Sequence, residues 1–317
     1  MGMNSEEVRA MLPACSLTDF DDIVTGRSLG ASNHIKMISN MYVAIAENQD
    51  EETARASIEA VGTFFKETRG KSSYAIVVAL KDIEAKIAAQ TLAAGESGVY
   101  ANAVRAAREA YFREADEHMD KILLYADRLM KNVNAVMPFD YSSTVEKAII
   151  HASHKLDVYI PESRVINGGY PFVKGIVGAG HRVHFVADAA MLTVLDKIDM
   201  VFIGAETFYP DGTAFNTVGS DILAELCLVH HVPYYVLTPL LKGDIRALYG
   251  IYKETLTKDL RETMAAAWPE ELRAQVDFTS VELVGVAPEF ITGYVTEKGI
   301  LRTGDLLRFI YEEDQNA

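Results

Sequence analysis

Cysteine, tryptophan and positive charge are all scarce in this 317-residue sequence. It contains two cysteines and one tryptophan, and 30 lysines and arginines stand against 45 aspartates and glutamates, for a net charge of −15. Two cysteines exclude a disulfide framework and a four-cysteine zinc site, so we expect a reducing, cytoplasmic location. The acidic balance makes a nucleic-acid backbone a poor partner, although a local group of cations can still attract an anionic substrate.

Long apolar runs are also missing. No run approaches the roughly 20 apolar residues that a membrane-spanning helix needs, and the first residues lack a basic and apolar signal pattern. We therefore expect no membrane partner. Hydrophobic residues make up 49% of the sequence and charged residues 24%, which is typical of soluble globular proteins, and the length suggests roughly two domains.

The sequence up to about residue 130 has the pattern of helices. Pro13 is the only proline in this stretch, and segments 33–47, 51–66 and 99–131 each place apolar residues on one helical face. We predict an N-terminal helical domain over residues 1–131, with these apolar stripes as its core.

The pattern changes after residue 131. Short runs rich in β-branched residues alternate with helical stretches. The predicted strands are 134–139, 157–160, 182–186, 199–203 and 233–237, and the predicted helices are 142–154, 168–180, 189–196 and 217–231. This alternation predicts an α/β domain over residues 132–317, with a parallel sheet and helices on both faces.

Carboxylates follow three of the predicted strands. Asp140, Asp188 and Glu206 each lie within three residues of the end of a different strand, and the carboxyl ends of parallel strands are where such sheets bind ligands. Carboxylates that lie close together raise one another's pKa, which favours general acid–base chemistry near neutral pH.

Groups suited to an anion lie near the same strand ends. Arg164 and Lys242 supply positive charge, and predicted helix N-termini at Ser142, Gly168 and Gly219 present amide groups that suit a phosphate. We therefore predict a site for an anionic ligand at this edge of the sheet.

Each of these features has a structural explanation as well, and both interpretations stay open. Ser142 and Asp188 are residue types that cap helices. Gly168 and its neighbour suit a turn. Glu162 and Glu206 are equally suited to an ion pair with Arg164.

No cofactor or metal motif is present. The histidines do not form an HExxH pattern, and the sequence has neither a GxxxxGK[ST] loop nor a GxSxG elbow. Gly178 and Gly180 follow a predicted helix instead of a strand, which argues against a dinucleotide fingerprint. We expect no metal and no cofactor, and we expect Cys227, within an apolar helix, to lie in the core.

Seven short segments of the chain resemble the sequences of one superfamily. They are VFIGAE (201–206), DG (211–212), NTVGS (216–220), YIPESR (159–164), VADAA (186–190), PEFI (288–291) and ETR (67–69). They resemble the superfamily of the α, β and δ subunits of initiation factor 2B, ribose-1,5-bisphosphate isomerase and 5-methylthioribose-1-phosphate isomerase. The resemblance covers about residues 70–300. It implies a helical N-terminal domain, a Rossmann-like C-terminal domain and dimers formed through the latter.

The resemblance also implies a site and a chemistry. The isomerases convert a sugar 1-phosphate into a ketose phosphate without metal or nucleotide, using a cysteine after the first strand, an aspartate, an Asn–Lys pair and arginines that hold phosphate. The cysteine position falls here on Asp140, the aspartate on Glu206 and the lysine on Thr217. The positions that match are Arg69, Arg164 and Asn216. A glutamine of the family falls on Gly168 beside Asn167, and the family's Arg-Gly-Ala loop falls on residues 26–31, which include Arg27.

Two functions follow from these residues. The chain is an aldose–ketose isomerase for a phosphorylated pentose or related sugar, with Asp140 and Glu206 sharing the proton transfers, or it is a non-catalytic relative that binds a phosphosugar or nucleotide and a protein partner. The replaced positions favour the second function. The predicted binding residues are Arg27, Arg69, Arg164, Asn167, Gly168, Asn216, Thr217 and Lys242. We expect a homodimer or larger homo-oligomer, and segment 244–280 is open to interpretation as a lid, an arm or an oligomer contact.

Overall fold

The computed structural model describes residues 3–28, 30–94 and 99–316. The chain divides into two compact units, one made of Met1–Glu117 with Tyr311–Ala317 and the other of His118–Ile310. The predicted fold class, a helical N-terminal region followed by an α/β region with a parallel sheet, is confirmed. The domain boundary after residue 131 stays a prediction.

The first unit is built from helices, and two of them, α1 and α4, begin at a side-chain cap. Its helices are α1 (Ser5–Ala10), α2 (Leu17–Val24), α3 (Ala31–Asn48), α4 (Glu51–Glu67), α5 (Arg69–Ser72), α6 (Tyr74–Ala94) and the first part of α7 (Tyr100–Met130). Asp50 caps α4, because its carboxylate accepts the Thr53 amide at 3.1 Å. Ile58 and Phe65 of the predicted stripe are buried, which confirms that this face is core.

The second unit contains a large sheet and two small ones. The strands are β1 (Ala135–Phe139), β2 (Asp157–Pro161), β3 (Arg182–Val186), β4 (Met200–Ile203), β5 (Thr207–Phe208), β6 (Ala214–Thr217), β7 (Tyr234–Leu237), β8 (Thr257–Asp259), β9 (Thr279–Val281), β10 (Leu283–Val286), β11 (Gly293–Thr296) and β12 (Gly299–Leu301). The remaining helices are α8 (Ser143–Ile150), α9 (Tyr170–Gly178), α10 (Met191–Val194), α11 (Ser220–His230), α12 (Arg261–Met264), α13 (Glu270–Arg273) and α14 (Leu306–Asn316). Across the described ranges, no helix is long and apolar enough to cross a bilayer.

The order of the strands in the large sheet fixes where a ligand site is expected. The order is β12-β11-β7-β4-β1-β2-β3, and all neighbours are parallel except β11 and β12. The chain runs from β1 outward through β2 to β3 and then returns to place β4 on the other side of β1. The direction therefore reverses between β1 and β4, and open α/β sheets bind ligands at the carboxyl ends of the two strands that flank such a reversal.

The five predicted strands all exist, with ends within one residue of the prediction. The helix predictions need more correction. The predicted helix 189–196 is a short α10 flanked by 3-10 turns. Residue 217 ends strand β6, and α11 begins only at Ser220, after Gly219. The glycine adopts a positive φ of 103°, which interrupts the backbone between strand and helix.

Side chains from one face of the central strands form a core of the second unit with two helices. Val136, Val158 and Phe202 from the sheet pack with Ile149 of α8 and Phe172 of α9, and all five are fully buried. Burial of such side chains contributes roughly 1.5–3 kcal/mol each. This packing fixes the position of the strands whose ends carry the site residues.

Two small sheets lie outside the large one. Strands β5, β6 and β10 form an antiparallel sheet in which Leu283 pairs with Thr217. Strands β8 and β9 form a two-stranded ribbon within segment 244–280. This segment, which the sequence left unassigned, is therefore a ribbon with short helices between its strands.

Candidate functional site

The carboxylate of Asp140 lies at the reversal point, directly after β1. Its Oδ1 accepts a hydrogen bond from the Ser163 hydroxyl at 2.9 Å, and its Oδ2 accepts one from the Thr217 hydroxyl at 2.8 Å. Asp140 is only 7% exposed. The ends of β1, β2 and β6 thus meet at one carboxylate.

The environment of Asp140 acts on its pKa in opposite directions. Burial raises the pKa, the hydroxyls of Thr217 and Ser163 and the amide of Tyr141 lower it, and the carboxylate of Glu282 raises it again. The net result is a pKa above the ordinary aspartate value. An aspartate of this kind is closer to the range in which a carboxyl group can both take and give a proton.

The loop after β4 connects Asn216 and Lys242 to the same region. The Asn216 amide donates to the carbonyl oxygen of Gly204 at 2.6 Å, and its side-chain oxygen accepts the backbone amide of Thr217 at 2.6 Å. The Lys242 ammonium donates to the carbonyl oxygen of Ala205 at 2.7 Å. Four of the predicted site residues, Asp140, Asn216, Thr217 and Lys242, are therefore linked through one hydrogen-bond network and the 204–206 loop.

Glu206 is partly buried and lies near two lysines. Burial lowers the pKa of Lys242, and the carboxylate of Glu206 opposes that change. Burial likewise lowers the pKa of Lys253, which Glu206 and Asp244 oppose. Glu206 is thus a local counter-charge for two cations as well as a carboxylate at a strand end.

The backbone approaches Asp140 so closely that only glycine fits at position 168. A Cβ atom built there would lie 1.8 Å from Oδ1 of Asp140. Asp140, Ser163 and Asn167 all adopt positive φ angles, of 57°, 48° and 54°. Non-glycine residues in this conformation are uncommon and collect at functional sites. Asn167, a predicted binding residue that precedes Gly168, is exposed.

Asp188 and Arg164 have structural partners. The Asp188 carboxylate accepts the backbone amides of Ser163 and Arg164, each at 2.8 Å. The Arg164 guanidinium lies 3.7 Å from the Glu162 carboxylate and donates to the carbonyl of Thr263 at 3.0 Å. Asp188 does not cap the helical turn that begins with it, because its carboxylate binds the loop after β2 instead. Glu162 is an ion-pair partner of Arg164.

The predicted arginines of the helical unit have local partners too. The Arg27 Nε atom donates to Asp22 at 2.6 Å. The Arg69 guanidinium donates to the carbonyl oxygens of Ile23 and Val24, the latter at 3.1 Å. Carbonyls at a helix end lack partners within the helix, so Arg69 satisfies the end of α2. A phosphate role for Arg27 and Arg69 stays a prediction.

Two of the histidines contact backbone carbonyls, and one of the two cysteines is buried. Among the described residues, no group of three or more His, Cys, Asp and Glu side chains could hold a metal ion. The His151 and His154 rings contact the carbonyls of Lys147 and Val133 at 2.8 and 2.7 Å. Cys227 is 1% exposed, which confirms its prediction as core.

Sequence reasoning missed three residues of this region. Ser163 belongs to the YIPESR segment, and the sequence analysis assigns it no role of its own. It nevertheless follows the end of a strand, as Asp140 does. Glu282 precedes β10 and is brought near Asp140 because its carbonyl accepts the Val218 amide at 2.9 Å. Lys253 lies in segment 244–280, and nothing in the local pattern marks it as part of the site.

Comparison with protein families identifies the chain. Residues 30–303 match the model of the Initiation factor 2 subunit family. The chain belongs to this family. The resemblance that the sequence motifs indicated is thereby confirmed.

Curated relatives of the chain include proteins named as translation initiation factors and proteins named as isomerases. The translation initiation factor eIF2B subunit alpha of Dictyostelium discoideum is 25% identical over 193 residues, covering 57% of this chain and 59% of that protein. The methylthioribose-1-phosphate isomerase of Desulforudis audaxviator is 26% identical over 302 residues, covering 84% and 80%. The ribose 1,5-bisphosphate isomerase of Archaeoglobus fulgidus is 25% identical over 214 residues, covering 62% and 67%. For several such relatives the matched region spans only about half of their own length.

Solved structures agree on the fold. The eIF-2B structure from Pyrococcus horikoshii superposes with a TM-score of 0.71 at 19% identity, covering 92% of this chain and 98% of that one. The 5-methylthioribose 1-phosphate isomerase structure from the same organism gives 0.70 at 16% identity, covering 98% and 88%. At these identities the likeness establishes the fold of the Initiation factor 2 subunit family and does not assign an activity.

Proposed function

We propose that this chain binds a sugar 1-phosphate, such as ribose 1,5-bisphosphate, and isomerises it from aldose to ketose. The observation that carries the proposal is Asp140, a buried carboxyl group with a raised pKa at the reversal point of the sheet. Relatives named as isomerases of two sugar 1-phosphates support the substrate class.

The proposed chemistry needs proton transfers and the opening of the sugar ring. The bond between C1 and the ring oxygen breaks, one proton leaves C2 and one is added to C1, while the ring oxygen gains a proton and the C2 hydroxyl loses one. No oxidant or reductant is consumed. Asp140 and Glu206 share these transfers in our proposal, and a carboxyl group whose pKa lies nearer neutrality performs them better than an ordinary aspartate.

The proposed binding residues surround that carboxylate or supply positive charge. Asn216 orients a sugar hydroxyl in our proposal, and Thr217 and Gly168 lie directly against the Asp140 carboxylate. The cations proposed to hold phosphate are Arg27, Arg69, Arg164 and Lys242, with Asn167 beside the start of α9. In a protein with a net charge of −15, such cations are needed to attract an anionic substrate.

A second candidate is a non-catalytic subunit that binds a phosphosugar or nucleotide and reports that state to a protein partner. One observation favours it: both oxygens of the Asp140 carboxylate already accept hydroxyl hydrogen bonds, as in a structural anchor. One relative is named as a translation initiation factor subunit, which supports a role with a protein partner. In either case we propose a cytoplasmic homodimer or larger homo-oligomer, on the cysteine usage and the family resemblance.

Turnover measured by NMR separates the two candidates. Purified protein is incubated with ribose 1,5-bisphosphate or 5-methylthioribose 1-phosphate, and formation of the ketose carbonyl is followed. We expect turnover by the unaltered chain and its loss in Asp140→Asn and in Glu206→Gln. Asp196→Asn, at an exposed carboxylate of the same unit, is the matched control and should retain full turnover.

Three other results would change the proposal. Saturable binding without turnover of either sugar supports the non-catalytic candidate. Turnover that survives both Asp140→Asn and Glu206→Gln keeps the isomerase and removes our assignment of the carboxylates. Absence of both binding and turnover refutes both candidates.

A further inference from the structure

The loop after β2 brings a serine hydroxyl to Asp140 through an uncommon backbone conformation. Ser163 adopts a left-handed φ of 48°, is 1% exposed, and donates from its hydroxyl to Oδ1 of Asp140 at 2.9 Å. Residues other than glycine are uncommon in this conformation and persist there only where their surroundings hold them. The hydrogen bond to Asp140 therefore depends on the groups that fix the backbone of Ser163.

The carboxylate of Asp188 binds that backbone from a neighbouring strand end. Its Oδ1 accepts the amide of Ser163 and its Oδ2 accepts the amide of Arg164, each at 2.8 Å. The amide of Glu162 donates to the carbonyl oxygen of Val186 at 2.9 Å, which continues the pairing of β2 and β3 up to this point. Asp188, two residues beyond the end of β3, is thereby brought opposite the loop that follows β2.

Both oxygens of the Asp188 carboxylate are used in this contact. An ionised carboxylate accepts hydrogen bonds at both oxygens, whereas an amide side chain accepts at only one atom. Hydrogen bonds to an ionised acceptor are also stronger than those between neutral groups. Both bonds of Asp188 go to the backbone of the loop, so their influence reaches Asp140 through the Ser163 hydroxyl.

We propose that Asp188 is a positioning residue, which fixes the backbone at Ser163 and thereby holds the Ser163 hydroxyl on Oδ1 of Asp140. Three strand ends then act together, because the loop after β3 supplies the carboxylate, the loop after β2 supplies the hydroxyl, and Asp140 after β1 accepts it. The positioning role concerns the site without a ligand, so it holds for either candidate function.

The pKa of Asp140, measured by NMR titration of its carboxyl carbon, tests this role. The resonance is assigned by its absence in Asp140→Asn. Ser163→Ala removes a donor that favours the ionised carboxylate, and it should raise the pKa of Asp140 by about one unit. Asp188→Asn should raise this pKa by a similar amount, because the substituted side chain accepts only one of the two backbone amides.

The sign of the shift separates positioning from a direct effect of charge. Asp188→Asn removes a negative charge, and the loss of a like charge by itself lowers the pKa of a nearby carboxyl group. A rise therefore indicates that the Ser163 hydrogen bond is lost. The other groups that act on Asp140, which are the Thr217 hydroxyl, the Tyr141 amide and the Glu282 carboxylate, are the same in both variants.

A double variant and a control complete the test. Ser163→Ala combined with Asp188→Asn should raise the pKa of Asp140 no more than Ser163→Ala alone, because the hydroxyl is already absent. Asp196→Asn, which removes an exposed carboxylate from a nearby 3-10 turn, should leave this pKa unchanged. Circular dichroism checks that each variant is folded. Should Asp188→Asn not fold, the unaltered chain still decides, because protonation of Asp188 must then shift the backbone amide resonances of Ser163 and Arg164, and constant resonances overturn the role.

The results that contradict the positioning role are specific. An unchanged or lowered pKa of Asp140 in Asp188→Asn overturns it. An additive rise in the double variant also overturns it, because Asp188 would then act by a route other than Ser163. These titrations contain no substrate, so the positioning role and the proposed function can each fail while the other stands.

Discussion

Replacement of Thr217 by valine tests how Asp140 is held. The substitution keeps the shape of the side chain and removes the hydroxyl that donates to Asp140 Oδ2 at 2.8 Å. Thr217 is 2% exposed, so water does not readily take the place of the lost donor. A hydrogen bond to a charged group contributes about 1.5–3 kcal/mol, and one between neutral groups about 0.5–1.5 kcal/mol.

The loss of stability should therefore depend on pH. We expect Thr217→Val to lower the free energy of unfolding by about 2 kcal/mol where Asp140 is ionised, and by about 1 kcal/mol where it is protonated. The pKa of Asp140 should rise further, because the lost donor favours the ionised form.

The sign for the unaltered chain follows from the raised pKa of Asp140. The folded state holds the proton more tightly than the unfolded chain does. The stabilising contribution of this group is complete below its unfolded pKa, about 3.9, and is lost as pH rises through the folded pKa. Thr217→Val should make this loss of stability with rising pH larger, because it raises the pKa of Asp140 in the folded state further.

Urea denaturation followed by circular dichroism, at a series of pH values from 4 to 8, measures the difference between variant and unaltered chain. Thr217→Ser, which keeps the hydroxyl, should behave nearly as the unaltered chain. A difference that stays constant across the series would refute the reasoning, because the hydroxyl would then not favour the ionised carboxylate.

Three other predictions follow from the same structure. Glu282→Gln should lower the pKa of the same aspartate, because it removes a like charge; a rise measured by carboxyl NMR titration would contradict this. Gly168→Ala should cost about 1–3 kcal/mol in urea denaturation, because the new methyl group collides with that carboxylate, whereas Gly178→Ala, which meets no atom within 4 Å, should not. Burial raises the pKa of Cys227 to about 12, so iodoacetamide at pH 8 should label exposed Cys15 and leave Cys227 unmodified; double labelling of the folded chain in mass spectra is the contrary result.

The strands that could be predicted from the sequence are those that stand out as short apolar runs. β1 and β4, for example, are wholly buried runs of apolar residues, and such runs between helical stretches identify buried parallel strands. Strands β5, β6 and β12 have two to four residues each. β5 pairs with β6, β6 also pairs with the distant β10, and β12 pairs with the adjacent β11. None of the three contains a continuous apolar run of four residues, unlike β1 and β4, so the pattern does not reveal them.

The candidate site divides in the same way. The rule that ligands bind at strand ends identified Asp140, directly after β1, and Lys242, in the turn that follows β7. It did not reveal that Thr217 would meet Asp140 from 77 residues away, or that Glu282 would lie near the same carboxylate. Those approaches depend on how β6 and β10 pair, which is a property of the folded chain.

The left-handed backbone at residue 140 restricts which side chains can replace Asp140. Aspartate tolerates that conformation better than most residues, whereas a cysteine has no such tolerance and offers no second oxygen for Ser163 and Thr217. A thiol at this position would leave two hydroxyls facing a poor acceptor. An Asp140→Cys substitution would therefore need accompanying changes at Ser163 and Thr217 to keep the hydrogen bonds of this strand end satisfied.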